Sequence, residues 1–440
     1  MADESTTEAT TRGRDLTEIR RDLHAHPEAG WKEFRTTAMV AAELEALGYD
    51  VHLGSEAVDP DERLGLPSED ELTAAMDRAR RDGAPESYLD RMDGITGCVA
   101  VREFGEDGPV VGVRVDMDAL ERTEARDEDH RPVREGFVSQ YPDEMHACAH
   151  DGHTAIGLGI ARRFAEAAAG SADGDGDGGF DGTLKLFFQP AEEGGRGGLP
   201  MSRTPLLEDV EHLIALHLGL DEETGTVVAG YDRPLSNAKL DVRYLGEPAH
   251  AGAAPQEGRN ALQAAAAAMQ NLYAIPRHAD GPTRINVGQV HSPNAQNVIA
   301  EDVEMRVEVR GTTAELKDYM LEHARRMVRA AADMHDVDVE TSLYGKTTSF
   351  VCDDEMVEAV AAAAEGVEGV DEIKERVDFG GSEDASYLVR RVQEQGGTAT
   401  YVGVGASNVA GHHTARFDID EDALAIGADV VVETVRSLGA

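Results

Sequence analysis

Three short, largely apolar runs in this chain each stop at side chains that bind metals or carry protons, and that pattern narrows the folds open to it. Residues 110–115 end at Asp116-Met117-Asp118, residues 183–188 lead through Pro190 into Ala191-Glu192-Glu193-Gly194-Gly195, and residues 213–216 deliver His217. Between the first two runs, residues 145–155 hold Cys148 with His146, His150 and His153, followed by Ile156, Ile160 and Phe164 at a spacing of four. That spacing reads as a helix with one buried stripe. Cys148 and His150 are two apart, so in extended backbone their side chains leave the same face and converge. Strands alternating with helices imply a largely parallel α/β sheet, whose functional groups gather beyond the carboxyl ends of the strands.

The remaining pattern divides the chain. A length of 440 residues exceeds one ordinary core. Leu16, Ile19 and Leu23 predict a first helix ending near Pro27, and residues 36–47 a second, closed by Gly48. Residues 55–93 are charged, with helical character over 72–81, and read as a surface insertion. From 234 to 347 the order is strand 238–245, helix 259–273, strands 284–290 and 302–309, helix 313–333 and strand 337–343. This β-α-β-β-α-β plan is ferredoxin-like. The expected division is therefore 1–233, 234–347 as an inserted α+β domain, and 348–440 returning to the first. The last part carries a strand over 398–404, then Gly411-His412-His413-Thr414, and a helix capped by Asp418 and Glu421. Asp173, Asp175, Asp177 and Gly178 imitate the opening of an EF-hand loop, but Leu184 stands where a bidentate acid is required, so the stretch reads as a solvated linker.

Composition bears on setting. With 41 Lys plus Arg against 85 Asp plus Glu, the formal charge is −44. The acids are dispersed rather than gathered into an interaction tail. Such self-repulsion needs screening, and molar salt shortens the Debye length to about 3 Å; the expectation is a salt-rich, halophilic cytoplasm. The same field disfavours nucleic acid and anionic membranes as partners. No run is apolar enough to span a bilayer, and residues 1–14 lack the blocks of a signal peptide. Cys98, Cys148 and Cys352 are few, distant and odd in number, which fits a cytoplasmic chain without a disulfide framework.

As chemistry, Cys148, His150, Glu193, His217 and His413 suffice to hold two divalent ions when water or a shared ligand completes the shells. One thiolate and three imidazoles suit Zn²⁺ or Mn²⁺ better than Mg²⁺. Adjacent Glu192 and Glu193 suit a division of labour. One grips metal while the other takes a proton from a metal-activated water and returns it to a leaving nitrogen.

These residues carry a resemblance. The text Arg21-Asp22-Leu23-His24, residues 31–37, 114–120, 145–159, 188–198, 250–262, 297–299 with 310–311, 381–385 and 411–424 resembles the M20 metallopeptidase family, in its amidohydrolase branch. The resemblance runs from about residue 16 to 438 and includes the charged insertion. It implies a di-metal hydrolase domain interrupted by a lid that also dimerises, with Cys148, His150, Glu193, His217 and His413 as ligands and Glu192 as general base. It further implies that His250 polarises the scissile carbonyl, across a dimer interface, and that Asn297 and Arg310 hold a substrate carboxylate. Asp118 matches an acid that orients the site. The sequence departs from the family at Ala149, which replaces a usual Gly, and at Thr414-Ala415. The second departure leaves His412 and His413 competing, and the position of Phe417 favours His413. The implied reaction is hydrolysis of an N-acyl amino acid, p-aminobenzoyl-glutamate or a similar conjugate. The alternatives are a broader aminoacylase or dipeptidase, and a catalytically idle partner chain that only binds metal. The implied partners are a second copy or a related subunit.

Overall fold

The computed structural model describes residues 11–105, 107–170 and 179–439, so the EF-hand-like stretch 173–178 lies outside the described residues. Within them, the strands are β1 (Asp50–Leu53), β2 (Cys98–Glu103), β3 (Val110–Asp116), β4 (Thr183–Gln189), β5 (His212–Leu218), β6 (Thr226–Asp232), β7 (Ser236–Leu245), β8 (Thr283–His291), β9 (Asp302–Gly311), β10 (Asp338–Lys346), β11 (Glu372–Asp378) and β12 (Thr398–Val404). They form one sheet in the order β1-β2-β4-β3-β5-β12-β6-β11 and another in the order β10-β7-β9-β8.

The larger sheet is largely parallel where it matters for function. β4, β3, β5 and β12 run the same way, with Asp116 beside Gln189 and Gly403 beside His217 in register. β2 pairs antiparallel with β4 and β6 antiparallel with β12, so the flanks are mixed. The parallel strands are apolar on both faces because helices cover them. Helix His150–Gly170 lies on this sheet and against helices Leu16–Ala25 and Asp422–Leu438. Its first three turns are buried almost all round rather than along one stripe, since it is enclosed by sheet on one side and helices on the other. Gly157 allows the close approach: a Cβ there would meet the Phe188 ring at 2.8 Å.

Two local expectations change. Neither Asp418 nor Glu421 caps helix Asp422–Leu438, because Asp418 is taken by Arg20 and Arg131, and Glu421 by Arg20 and Arg21; Asp420 Oδ1 accepts from the Asp422 N–H instead, at 3.2 Å. The charged stretch 55–93 is more than a surface appendage. It contains helices Glu69–Arg81 and Glu86–Met92, and Ala57, Val58, Ala75, Ala79, Leu89 and Met92 join the main core while its charges face outward.

The smaller sheet carries helices Ala261–Tyr273 and Ala314–His335 on one face. Its own core includes Leu240, Val242, Tyr244, Val303, Met305, Val307 and Val309. Alternation along β7 and β9 leaves Lys239, Asp241, Arg306 and Glu308 on the opposite, polar face, as period-two side chains require.

Candidate active site

The carboxyl ends of β3, β4, β5 and β12 meet at one place, and the chain leaving each of them supplies a reactive group. Cys148 and His150 converge there by a different route from the one expected. His150 is the first residue of its helix, and the turn before it is made by Ala149 in left-handed backbone at φ +67°. Ala149 thus adopts a conformation that glycine takes freely and alanine takes at a cost of about 1–2 kcal/mol. Cys148 Sγ lies 3.6 Å from His217 Nε2 and 3.4 Å from His412 Nδ1, and His413 Nε2 lies 3.2 Å from Glu193 Oε1. Potential ligand atoms of Cys148, His150 and His217, of Cys148, Glu193 and His413, and of His150, Glu192 and Glu193 each fall within 4.8 Å of one another.

Hydrogen bonds aim these groups. His150 Nδ1–H donates to the Asp118 carbonyl (2.9 Å), and His217 Nδ1–H to the Leu218 carbonyl (2.7 Å). In its neutral form each ring presents a bare Nε2 to the cluster, the arrangement of ligating histidines whose other nitrogen is fixed by the protein. The two imidazoles after β12 divide. His412 Nε2 accepts from the Leu220 N–H (3.1 Å), which leaves Nδ1–H to donate toward Cys148 Sγ. His413, itself at φ +60°, turns its ring to Glu193 instead. His153 is used up, with Nδ1–H on Asp116 (2.5 Å) and Nε2 accepting from the Leu218 N–H (2.8 Å).

The Glu192-Glu193 turn is held from beneath. Asp118 Oδ1 accepts from the Glu192 N–H and Oδ2 from the Glu193 N–H, each at 3.0 Å. Glu33 accepts from the Ala191 N–H and the Thr96 hydroxyl, both at 2.7 Å. Behind Glu192 lies a charge network that sequence reading missed. Arg114, fully buried, donates to Gln189, Asp116, Glu383 and Asp384. The only sequence signal for it was a charged Arg inside an apolar strand, together with the Glu383-Asp384 pair. Burial, then Glu383, Asp384 and Glu193, push the Glu192 carboxyl well above its ordinary value. A raised carboxyl suits a group that accepts a proton and then returns it.

The donor set fits divalent metal. His150 Nε2 is buried without a hydrogen-bond partner, which costs free energy unless something binds it, and Glu193 Oε1 faces the His413 ring at 3.2 Å. Burial pushes the Cys148 thiol up, so its thiolate is stable here only with a cation against it. Hydrogen bonds to Cys148 and Glu193 push His413 up to about 10, another sign of surplus negative charge at the site. His217 is held neutral by burial and by neighbouring His153 and His412.

His250, Asn297 and Arg310 are not brought to this cluster within the chain. They belong to the smaller sheet and its connections, where the Ala251 N–H donates to the Asn297 carbonyl and His250 bridges Val298. His250 is exposed, its Nδ1 accepting from the Gly252 and Ala253 N–H groups. Arg310 forks onto Glu308, with both contacts at 3.0 Å.

A thiol, imidazoles and a carboxylate around a second buried Glu, at the carboxyl ends of a parallel sheet, define a metal-dependent hydrolase. Residues 112–437 match the model of peptidase family M20/M25/M40. The chain belongs to this family and is a metal-dependent amidohydrolase. It is 43% identical to indole-3-acetyl-aspartic acid hydrolase of Enterobacter agglomerans, over 96% of this chain and 95% of that one. It is 42% identical to one of the subunits of p-aminobenzoyl-glutamate hydrolase of Escherichia coli (strain K12), over 95% and 94%. The aminobenzoyl-glutamate utilization protein of Klebsiella pneumoniae superposes with a TM-score of 0.81 at 36% identity, over 96% of this chain and 95% of that one. A dinuclear metal-binding M20 peptidase of Bacillus subtilis shares the fold, with a TM-score of 0.63 at 22% identity over 96% and 97%.

Proposed function

We propose that this chain hydrolyses the amide bond of N-acyl amino acids whose amino-acid half is acidic, p-aminobenzoyl-glutamate or a similar conjugate. The observation that carries the reading is Glu192, a buried carboxyl within 4.8 Å of His150 and Glu193, beside a ligand set that would hold metal without it. A protein that only binds metal has no use for that group. Cys148, His150, Glu193, His217 and His413 would hold two divalent ions, Mn²⁺ or Zn²⁺. When bound, these supply Lewis-acid polarisation of the carbonyl and acidify water for attack near neutral pH. Glu192 takes the proton of the attacking water and hands it to the leaving nitrogen, while Asp118 and Glu33 keep its turn in place. His412 orients the Cys148 sulfur and does not ligate.

In this reading residues 234–347 form a lid and dimerisation domain. His250 donates to the developing oxyanion of the partner's site, and Asn297 with Arg310 receives the α-carboxylate, displacing Glu308 from the guanidinium. Strand β8 is an open sheet edge, and Leu262, Tyr273 and Val290 are exposed on this domain; an edge and apolar side chains of this kind support pairing. The other candidate partner is a related chain, because the E. coli relative is named as one subunit of its hydrolase. The acidity is a salt adaptation of a cytoplasmic protein; among the described residues no helix is long and apolar enough to cross a membrane. The test is metal analysis of the purified chain with a panel of N-acyl amino acids, simple amides and dipeptides. Bound divalent metal and a preference for acyl-glutamate or acyl-aspartate are expected. Equal hydrolysis of free acids and their α-methyl esters would overturn the substrate reading.

A further inference from the structure

Beside Glu193 opens a cleft of about 400 Å³, walled by Lys32, Ala119, Leu120 and Gly194 on one side and by Lys239, Arg306 and Tyr344 on the other. The same three residues of the smaller sheet line an adjoining hollow of about 240 Å³ that runs along its polar face. Residues 65–67 of the charged stretch close the end. Gly65, at φ +58°, is pressed so close that a Cβ would meet the Tyr344 carbonyl at 2.6 Å. The volume is at the small end of ligand pockets, roughly 300–1,000 Å³, and suits part of a small conjugate rather than a peptide chain.

The cations of this cleft differ in what they already hold. Lys32 is paired with Glu121 at 2.7 Å. Arg196 is spent on the Glu193 and Gly65 carbonyls and stacks on Tyr344. Arg306 also lies over Tyr344 and reaches Asp241 only at 3.5 Å, with its side chain 59% exposed. Lys239 is half-buried and, among the described residues, its ammonium makes no hydrogen bond or ion pair; Glu308, Glu192 and Glu193 act on it through space only. Its cross-strand neighbour Glu308 is already forked by Arg310. In a chain with 85 carboxylates and 41 Lys plus Arg, a half-buried ammonium left without a direct partner, beside the reactive cluster, is the group most ready to accept an incoming anion.

We propose that Lys239, with Arg306 behind it, is the subsite that reads the side-chain carboxylate of the substrate's acidic amino acid. The inference rests on the N-acyl amino-acid reading above and adds to it the residues that select glutamate or aspartate over their amides. An ammonium here gives a point charge without a bidentate fork, so it accepts carboxylates on side chains of different length. The amides glutamine and asparagine carry no charge for it to hold.

The test compares one acyl group on glutamate and on glutamine, with the metal-loaded wild type and with Lys239→Met, Lys239→Arg and Arg306→Gln. The wild type is expected to favour the glutamate conjugate by at least tenfold in kcat/KM. Lys239→Met is expected to lose at least tenfold on that substrate, mainly through KM, and clearly less on the glutamine conjugate, so that the preference collapses. Lys239→Arg should restore most of it, and Arg306→Gln should weaken it by a smaller factor. If Lys239 merely offsets the charge of Glu192 and Glu193, Lys239→Met falls equally on both substrates, which overturns the subsite. A wild type that hydrolyses both conjugates equally overturns it too, along with the preference for an acidic amino-acid half, while leaving hydrolysis of N-acyl amino acids in place. Hydrolysis of neither overturns both.

Discussion

Asp118 is where the structure makes its sharpest demand on a residue outside the proposed ligand set. Each of its oxygens accepts one backbone N–H of the Glu192-Glu193 turn at 3.0 Å, and its own carbonyl fixes His150. Asp118→Asn keeps the shape and one acceptor, but sets an NH₂ against the other N–H. Losing a charge-assisted hydrogen bond and stranding a buried donor costs about 1.5–3 kcal/mol. At about 1.4 kcal/mol per decade, that is roughly a 10–150-fold weakening of whatever the turn holds in place. The turn carries Glu193, so metal affinity should fall by about 10–100-fold, the range typical of groups that orient ligands. The assay is competition for metal against a chromophoric chelator at fixed pH, with thermal melting of the metal-free chain to show that it is folded. An unchanged metal Kd in a folded Asp118→Asn chain would refute the reasoning.

Other outcomes follow from the charge layout. Burial and Arg20 push His24 down, but hydrogen bonds to Asp151 and Glu124 outweigh them and leave it at about 8. Because the folded value lies above the ordinary 6.5, its contribution of about 2 kcal/mol is complete below pH 6.5 and lost as pH rises through 8. Denaturant titrations should show that fall, and His24→Gln should flatten it; an equal slope in the variant contradicts the assignment. A formal charge of −44 predicts a melting temperature that rises by several degrees from dilute buffer to molar KCl, and no change would mean the acidity is not a salt adaptation. If His250 acts across a dimer, mixing inactive His250→Ala and Glu192→Gln chains should restore roughly a quarter of the activity in randomly exchanged dimers. No recovery after verified exchange would place His250 within its own site or outside catalysis.

The strands that carry chemistry were legible because they are short, apolar and stopped by unusual residues. The pattern over 398–404 coincides with β12, and the strands expected at 238–245, 284–290, 302–309 and 337–343 coincide with β7, β8, β9 and β10. β1, β2, β6 and β11 were not read; β11, with its Glu, Lys and Arg, has a half-exposed edge pattern with no apolar alternation to betray it. The convergence of Cys148 and His150 was expected for the wrong reason: local spacing suggested extended backbone, whereas the fold uses a left-handed Ala149. The capping expectation at Asp418 and Glu421 failed because three arginines distant in sequence, Arg20, Arg21 and Arg131, compete for those carboxylates. Arg114 and its partners were illegible for the same reason, as Glu383 and Asp384 arrive from 269 and 270 residues away. Local chemistry writes candidates into a sequence, but which carboxylate meets which cation is decided by tertiary packing.

The central claim is that Glu192 moves the proton while its neighbours hold the metal, and Glu192→Gln tests it most directly. The substitution keeps volume and removes the proton-accepting oxygen from a carboxyl buried among Glu383, Asp384 and Glu193. Metal content and kcat are measured on the same preparation with an N-acyl-glutamate substrate. Full metal occupancy with kcat lowered by about 10²–10⁴-fold is the predicted result, the usual size of a general-base contribution. Full occupancy with near-normal turnover would contradict the account.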